Sequence, residues 1–416
     1  MTQKLLHLSA VLKSPLVDRS GDRLGRVEDL IVRLADGGFP PVTGIKARIG
    51  GRDLFVPADR VASLAADRVA LSGERLDLRR FERREGEVLL REDVLGHTLI
   101  DVESARLVTA QEIELTCVDG WWRVVAINPS GRVRLRRMLP GWQEGQGGEG
   151  LLDWTRLEPF VGHVPSSRLR IGHRKLARLH PAQIADLVEA ASHDEGEEII
   201  EAVGHDRELE ADVFEELDDE HQLEFIRERS DAQAAMLLGR MATDDAADLV
   251  AELDQERREP ILALLPVAQQ RRIRTLLGYN PSTAGGLMSP DFVSLPEKTT
   301  VREAIARVRD CEIAPEAAAT VFVFDEARRL SGSLPVAALL RSDDDQPLSA
   351  AAEHEPQRVF ADADLPYVAN LMSDFNLAVL PVIDENETLV GVVTVDDVLD
   401  QVLPAAWRRR HRVVHG

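Results

Sequence analysis

The chain has 416 residues, 44% hydrophobic and 29% charged, an ordinary globular composition that excludes wholesale disorder and a fibrous fold. Its length exceeds what one hydrophobic core serves, which predicts two to four domains; the patterning below divides it into four. A net charge of −22 argues against a general nucleic-acid binder, which needs Lys and Arg to neutralise phosphates, and favours cations.

The two cysteines, Cys117 and Cys311, lie far apart and outside any CxxC spacing. A disulfide framework or structural zinc is therefore not expected, and a reducing cytosol fits. Residues 1–13 hold an apolar run broken by His7 and closed by Lys13, with no small-residue cleavage pattern after it, so no signal peptide is expected. No apolar run approaches the roughly 18–20 residues of a spanning helix. The expectation is a cytoplasmic chain without a pore of its own.

In chain order, residues 1–85 read as short strands. Segments 27–34, 42–48 and 54–57 carry β-branched or aromatic residues bounded by Asp-Gly and Gly-Gly turn signals. A second pass begins near Val88, where Glu92-Asp93-Val94-Leu95-Gly96 precedes strand-like 105–108, 112–118 and 121–127. Two small β barrels in tandem, 1–85 and 86–140, are expected. Gly25-Arg26-Val27-Glu28-Asp29-Leu30 resembles the start of the PRC-barrel family. The stretch GWQEGQGGEG, 141–150, opens a linker expected to run to residue 165.

From 166 to 280 apolar residues recur at i, i+3, i+4 in short sets about every dozen residues: Ile184, Leu187 and Val188, then Val213, Phe214 and Leu217, then Met236, Leu237 and Met241, and onward to Ile273, Leu276 and Leu277. Stacked short helices forming a small superhelix account for this. Beyond Asn280-Pro281 the period lengthens. A helix at 301–308, strands at 320–324 and 330–334 and a helix at 336–340 are followed by a second copy at 365–372, 378–383, 389–394 and 395–403, which predicts a compact α/β pair over 281–403.

Thr283-Ala284-Gly285-Gly286-Leu287-Met288, entered through Leu276-Leu277-Gly278-Tyr279, resembles the junction between the N domain and the CBS pair of MgtE-type magnesium transporters. Upstream, Met241 to Leu249 also resembles that family. Asp244 and Asp248 lie four apart on one helical face, where like charges repel unless a cation or basic partner lies between; helix capping explains only one of them. The resemblance implies that both face the CBS pair and hold Mg²⁺ with Asp397 and Asp400, at i, i+3 in the last helix, and with Asp364. A hard, well-hydrated cation suits such carboxylates; a solvated acidic face is the plainer account. Pro366 and Asn376 stand where the family commonly has further acids. The family continues into a transmembrane pore, whereas this sequence runs to Gly416.

The resemblance also implies an adenine-nucleotide site, because Thr394 and Asp397 match the Thr-x-x-Asp pattern that holds a ribose in CBS pairs. The corresponding stretch of the first copy, 332–338, lacks both residues. Between Asp194 and Glu224, fifteen acids face one Arg207; Asp212, Glu215 and Glu216 there are candidates for an interfacial ligand, against a solvated face. Arg408 to Arg412 form a basic tail, 404–416, suited to solvent, anionic lipid or an acidic partner.

The sequence holds no GxxxxGK, HExxH or GxSxG, and its histidines do not cluster at ligand spacings. No enzyme is expected. The expected function is a Mg²⁺-sensing regulatory protein, homodimeric through its CBS pair and acting on a membrane transporter or another protein. The alternative is an adenine-nucleotide-responsive interaction module whose metal site does not work.

Overall fold

The first strands bury apolar residues in two ways: residues 52–57 alternate, with Leu54 and Val56 buried, whereas one long strand buries Leu30, Ile31 and Val32 in a continuous run. The computed structural model describes residues 5–34, 38–73, 80–84, 86–130, 150–160 and 175–403. Its contacts divide the chain into two units, Met1–Glu216 and Leu217–Gly416, and the division falls within the helical region.

In the first unit, strands β1 (Leu6–His7), β2 (Pro15–Val17), β3 (Arg23–Arg33), β4 (Val42–Ile49), β5 (Arg52–Pro57), β6 (Val61–Leu64) and β7 (Val69–Leu71) precede β8 (Glu87–Leu89), β9 (Thr98–Asp101), β10 (Arg106–Thr109), β11 (Glu112–Val118) and β12 (Trp121–Asn128). The larger sheet runs β5-β4-β3-β2-β7-β6, with β8 also on β3. A second sheet runs β1-β11-β12-β13 and a third β10-β9-β14, using β13 (Leu152–Asp153) and β14 (Leu157–Pro159). Strands therefore cross the expected boundary at 85/86 in both directions. Leu30, Ile45 and Val56 share one core with Val94, Leu115, Ile127 and Trp154. Among the described residues no sheet closes on itself, so barrel closure is not seen.

The expected linker 141–165 is described only at 150–160, and there it supplies β13 and β14. Arg156 forks onto the buried Asp101 at 2.7 and 2.7 Å, which anchors β14 against β9. The remainder of that linker and the basic tail 404–416 lie outside the described residues.

The helical region follows its caps. Helices α1 (Pro181–Ala190), α2 (His193–Val203) and α3 (Arg207–Glu215) belong to the first unit. In the second are α4 (Asp219–Glu228), α5 (Asp231–Leu238), α6 (Thr243–Glu252), α7 (Gln255–Leu264) and α8 (Val267–Leu276). Ser192 with Glu195 and Ser230 with Gln233 form reciprocal capping boxes, each satisfying two otherwise orphaned N–H groups. Buried pairs such as Ile199 and Ile200, Phe225 and Ile226, and Leu249 and Val250 recur along the helices. Met236, expected in the core, is 55% exposed, and Leu238 is buried instead.

The last region repeats one topology. β15 (Val293–Pro296) pairs in parallel with β16 (Thr320–Phe324), which pairs antiparallel with β17 (Leu330–Pro335) and through it with β18 (Glu353–His354). The second copy has β19 (Val359–Phe360), β20 (Val379–Ile383) and β21 (Leu389–Thr394) in the same parallel, then antiparallel order. Helices α9 (Val301–Arg309) and α10 (Val336–Leu339) serve the first copy, and α11 (Leu365–Phe375) and α12 (Val395–Val402) the second. Phe322 and Leu330 share a core with Val379, Ile383 and Val392, which joins the copies.

Candidate cation site

The segment after α8 is held by backbone before any side chain acts. Ala284 and Gly285 donate to the carbonyls of Ala363 and Ala361, both at 2.8 Å, and Ser289 and Val392 exchange backbone bonds at 2.8 and 2.9 Å. This clamps 284–289 across the edge of the second copy. The paired glycines are required there: a Cβ on Gly285 would lie 2.6 Å from the Tyr279 ring, and one on Gly286 would strike the Asn280 carbonyl.

That clamp brings Ser289 and Asp291 to the first turn of α6. The Thr243 hydroxyl donates to Asp291 at 2.6 Å, and Arg272 of α8 ion-pairs with the other Asp291 oxygen at 2.5 Å. Ser289 donates its hydroxyl to the Asp244 carboxylate, while the Asp244 Oδ1 atom is buried without a hydrogen-bond partner. An orphaned buried carboxylate oxygen is costly unless a proton or cation meets it.

Asp248 and Asp397 complete the cluster. Burial, then the charges of Asp248 and Asp291, push Asp244 up to about 6. Partial desolvation pushes Asp248 up to about 6 as well, although its side chain reaches solvent, and Asp219, Asp397 and Glu252 add to the shift. Asp397 rises to about 7 through burial and the Asp244 charge, against the lowering effect of the Thr394 hydroxyl bond. Three carboxylates from α6 and α12 thus hold their protons unusually well, chiefly because they are withdrawn from water and further because they lie near one another.

The other expected ligands stand differently. Asp364 caps α11, accepting from the Tyr367 N–H at 2.9 Å. Asp400 is exposed, one turn along α12 from Asp397. Asp212, Glu215 and Glu216 lie at the end of the first unit, where burial and the charges of Glu208 and Asp206 raise Asp212. Among the described residues no three His, Cys, Asp or Glu side chains converge tightly enough to enclose a metal ion. The donor set still fits Mg²⁺, which keeps several waters and takes one or two carboxylates directly; Asp244, with Asp248 and Asp397, would hold it.

Thr394 is buried at the N-cap of α12 and its hydroxyl donates to the Asp397 carboxylate, forming a capping box. The Thr-x-x-Asp pattern therefore already has a structural role here. Sequence reasoning missed Thr243, Arg272, Ser289 and Asp291. A usable signal was the Ser289-Pro290-Asp291 run directly after the glycine junction.

A helical domain leading into two fused α/β copies, with acids on α6 and α12 near one another, is the architecture of a helical domain joined to a CBS pair. Residues 179–282 match the family described as the MgtE intracellular N domain, and 349–404 match the CBS domain; the first α/β copy repeats the topology of the second. The magnesium transporter MgtE of Thermus thermophilus is 32% identical over 209 residues, 49% of this chain and 46% of that protein. MgtE of Bacillus subtilis is 28% identical over 195 residues, 47% and 43% of the two chains. The match thus spans less than half the length of these relatives.

Two crystal structures resemble the chain at a TM-score of 0.51, each over 55% of it. The soluble part of a magnesium transporter is 26% identical and covered to 90%. The cytosolic domain of the Mg²⁺ channel MgtE in complex with ATP is 29% identical and covered to 93%. The matched families are regulatory and transport-related, and none is an enzyme family. No helix among the described residues is long and apolar enough to cross a membrane.

Proposed function

We propose that this chain is a cytoplasmic Mg²⁺-sensing regulatory protein in which a divalent cation docks the helical domain on the CBS pair. The observation that carries this reading is the orphaned Asp244 oxygen beside Asp248 and Asp397. Without a cation the three charges repel across the α6–α12 contact; with one, the sign of the interaction reverses. The residues proposed to hold the ion are Asp244, Asp248 and Asp397, with Asp364 and Asp400 as outer members of the same acidic face. The regulated partner is a membrane transporter or another protein, in keeping with the transporter relatives.

A homodimer through the CBS pair fits the same reading. Val395, Leu399 and Val402 lie at i, i+4, i+7 on α12 and are exposed, an apolar stripe that association would cover.

A second reading has one observation in its favour. Thr394 and Asp397 keep a ribose-binding pattern, and a similar cytosolic domain crystallised with ATP; in that reading the nucleotide, not the metal, sets the state.

The deciding experiment titrates Mg²⁺ and ATP separately, following melting temperature, scattering profile and protease cleavage at 277–290. Mg²⁺ compacts the protein and protects that segment, and Asp248→Ala with Asp397→Ala abolishes the response while both domains stay folded. Profiles indifferent to millimolar Mg²⁺ but responsive to ATP replace the first reading with the second.

A further inference from the structure

The first β sheet holds a cavity unrelated to the acidic cluster. Its volume is about 350 Å³, and Glu28, Lys46, Arg48, Asp53, Arg91 and Glu92 line it, with Asp29 beneath. That is the lower end of the small-molecule range. Register and a bulge create it. Arg26 stands directly opposite Arg48 across β3 and β4, and the ladder slips between Val27 and Asp29, leaving Glu28 as the extra residue. Like charges placed opposite each other are unfavourable, and a bulge re-aims the side chain it carries.

Glu28 therefore gathers three guanidinium groups: Arg26 at 2.6 Å, Arg48 at 3.8 Å and Arg91 at 3.6 Å. Glu28, Asp53 and Glu92 answer four cations, Arg26, Lys46, Arg48 and Arg91, and Arg91 is the one left with only long contacts. Asp29 beneath makes no ion pair with these guanidinium groups; its oxygens accept the backbone N–H groups of Leu30, Arg91 and Glu92 at 2.7, 2.8 and 3.1 Å. The acids on the opposite wall already face cations, Asp53 with Arg48 at 2.9 Å and Glu92 with Lys46 at 3.4 Å. Arg91 reaches Glu28 only through long contacts, 3.6 Å to the carboxylate and 3.5 Å to the carbonyl, beyond good hydrogen-bond length. Residues 1–85 contain 16 Lys and Arg against 12 Asp and Glu, net +4, in a chain of net −22, so an anion is drawn to this part of the molecule.

We propose that this cavity binds a small ligand through an oxyanion group, phosphate or carboxylate, held by the guanidinium groups of Arg48 and Arg91. A planar guanidinium presents paired donors that match both anions. The site is independent of the cation-dependent docking proposed above.

The test is calorimetric titration of the full chain with inorganic phosphate and with succinate, at constant ionic strength against chloride. Arg91→Ala is the principal variant, because it keeps the backbone N–H that Asp29 needs; circular dichroism confirms that it folds. Saturable binding of either probe is expected, weakened about tenfold by Arg91→Ala, the effect of losing a charge-assisted bond. The probe that binds more tightly identifies the oxyanion class. Heats no larger than those with chloride for both probes, or binding undiminished in Arg91→Ala, overturn the proposal.

Discussion

The Thr243 hydroxyl donates to Asp291 at 2.6 Å, joining the first turn of α6 to the segment that enters the CBS pair. Thr243 is buried, so the bond is shielded from water. Thr243→Val keeps the shape and removes the donor, leaving an Asp291 oxygen short of a partner at a cost of about 1–3 kcal/mol. The expected outcome is faster protease cleavage at 277–290 with and without Mg²⁺. Cleavage equal to that of the parent protein contradicts the role given to this bond.

Asp244→Asn separates charge from shape. The buried carboxyl, raised to about 6, is mostly ionised at pH 7.5 and repelled by its neighbours. Neutralising it should stabilise the cation-free protein by on the order of 2 kcal/mol. The same variant should lose most of the stabilisation by Mg²⁺, about 2.7 kcal/mol for a ligand at a hundred times its dissociation constant. Calorimetric melting with and without Mg²⁺ checks both halves; a variant as responsive as the parent removes Asp244 from the site.

Asp29 sets a pH dependence in the β region. Burial raises its carboxyl to about 7 despite three backbone N–H donors. A carboxyl whose folded pKa lies above its unfolded value near 3.9 binds its proton more tightly when folded. Its contribution is complete below about pH 4 and is lost as pH rises through 7. The β region should therefore melt higher at pH 5.5 than at pH 8. Asp29→Asn should flatten that slope, and an unchanged slope assigns the titration to another group.

Arg156 lies outside the stretch that sequence alone marked as β structure, yet it is paired with buried Asp101 through two bonds. Arg156→Ala leaves that carboxylate with only the Ser104 hydroxyl and the Glu103 N–H as donors, at a cost of about 1–3 kcal/mol. A fragment ending at residue 138 lacks β13 and β14 and should melt well below one ending at 160. Equal melting of the two fragments by circular dichroism would show that these strands are dispensable.

The exposed stripe on α12 gives the dimer a direct check. Leu399 is 46% exposed, so Leu399→Asp should leave the fold intact and shift the mass measured by light scattering from dimer to monomer. A parent protein that is monomeric at micromolar concentration contradicts the dimer outright.

What the sequence determined by itself was local. Strand bounds at 320–324 and 389–394 were legible because short continuous apolar runs end at turn residues next to them in the chain, and Asn386 and Asp384 close the hairpin before β21 within two residues. Helix starts were legible for the same reason, since a capping serine or aspartate acts three residues away. The pairing of Asp244 and Asp248 on one face followed from helical geometry alone, and the CBS-type ending brought in Asp397.

Tertiary structure decided whatever depends on distant partners. Arg91 reaches Asp29 across 62 residues and Thr243 reaches Asp291 across 48, and neither bond leaves a periodic trace in the chain. The same holds for β8 joining β3, which turned two expected β units into one core. Asp364, a ligand candidate by family resemblance, also spends one oxygen on the N–H of Tyr367, a second role that only the folded chain displays. A carboxylate's role depends on which donors and charges fold around it, and those are chosen by packing across the whole domain rather than by the residues beside it.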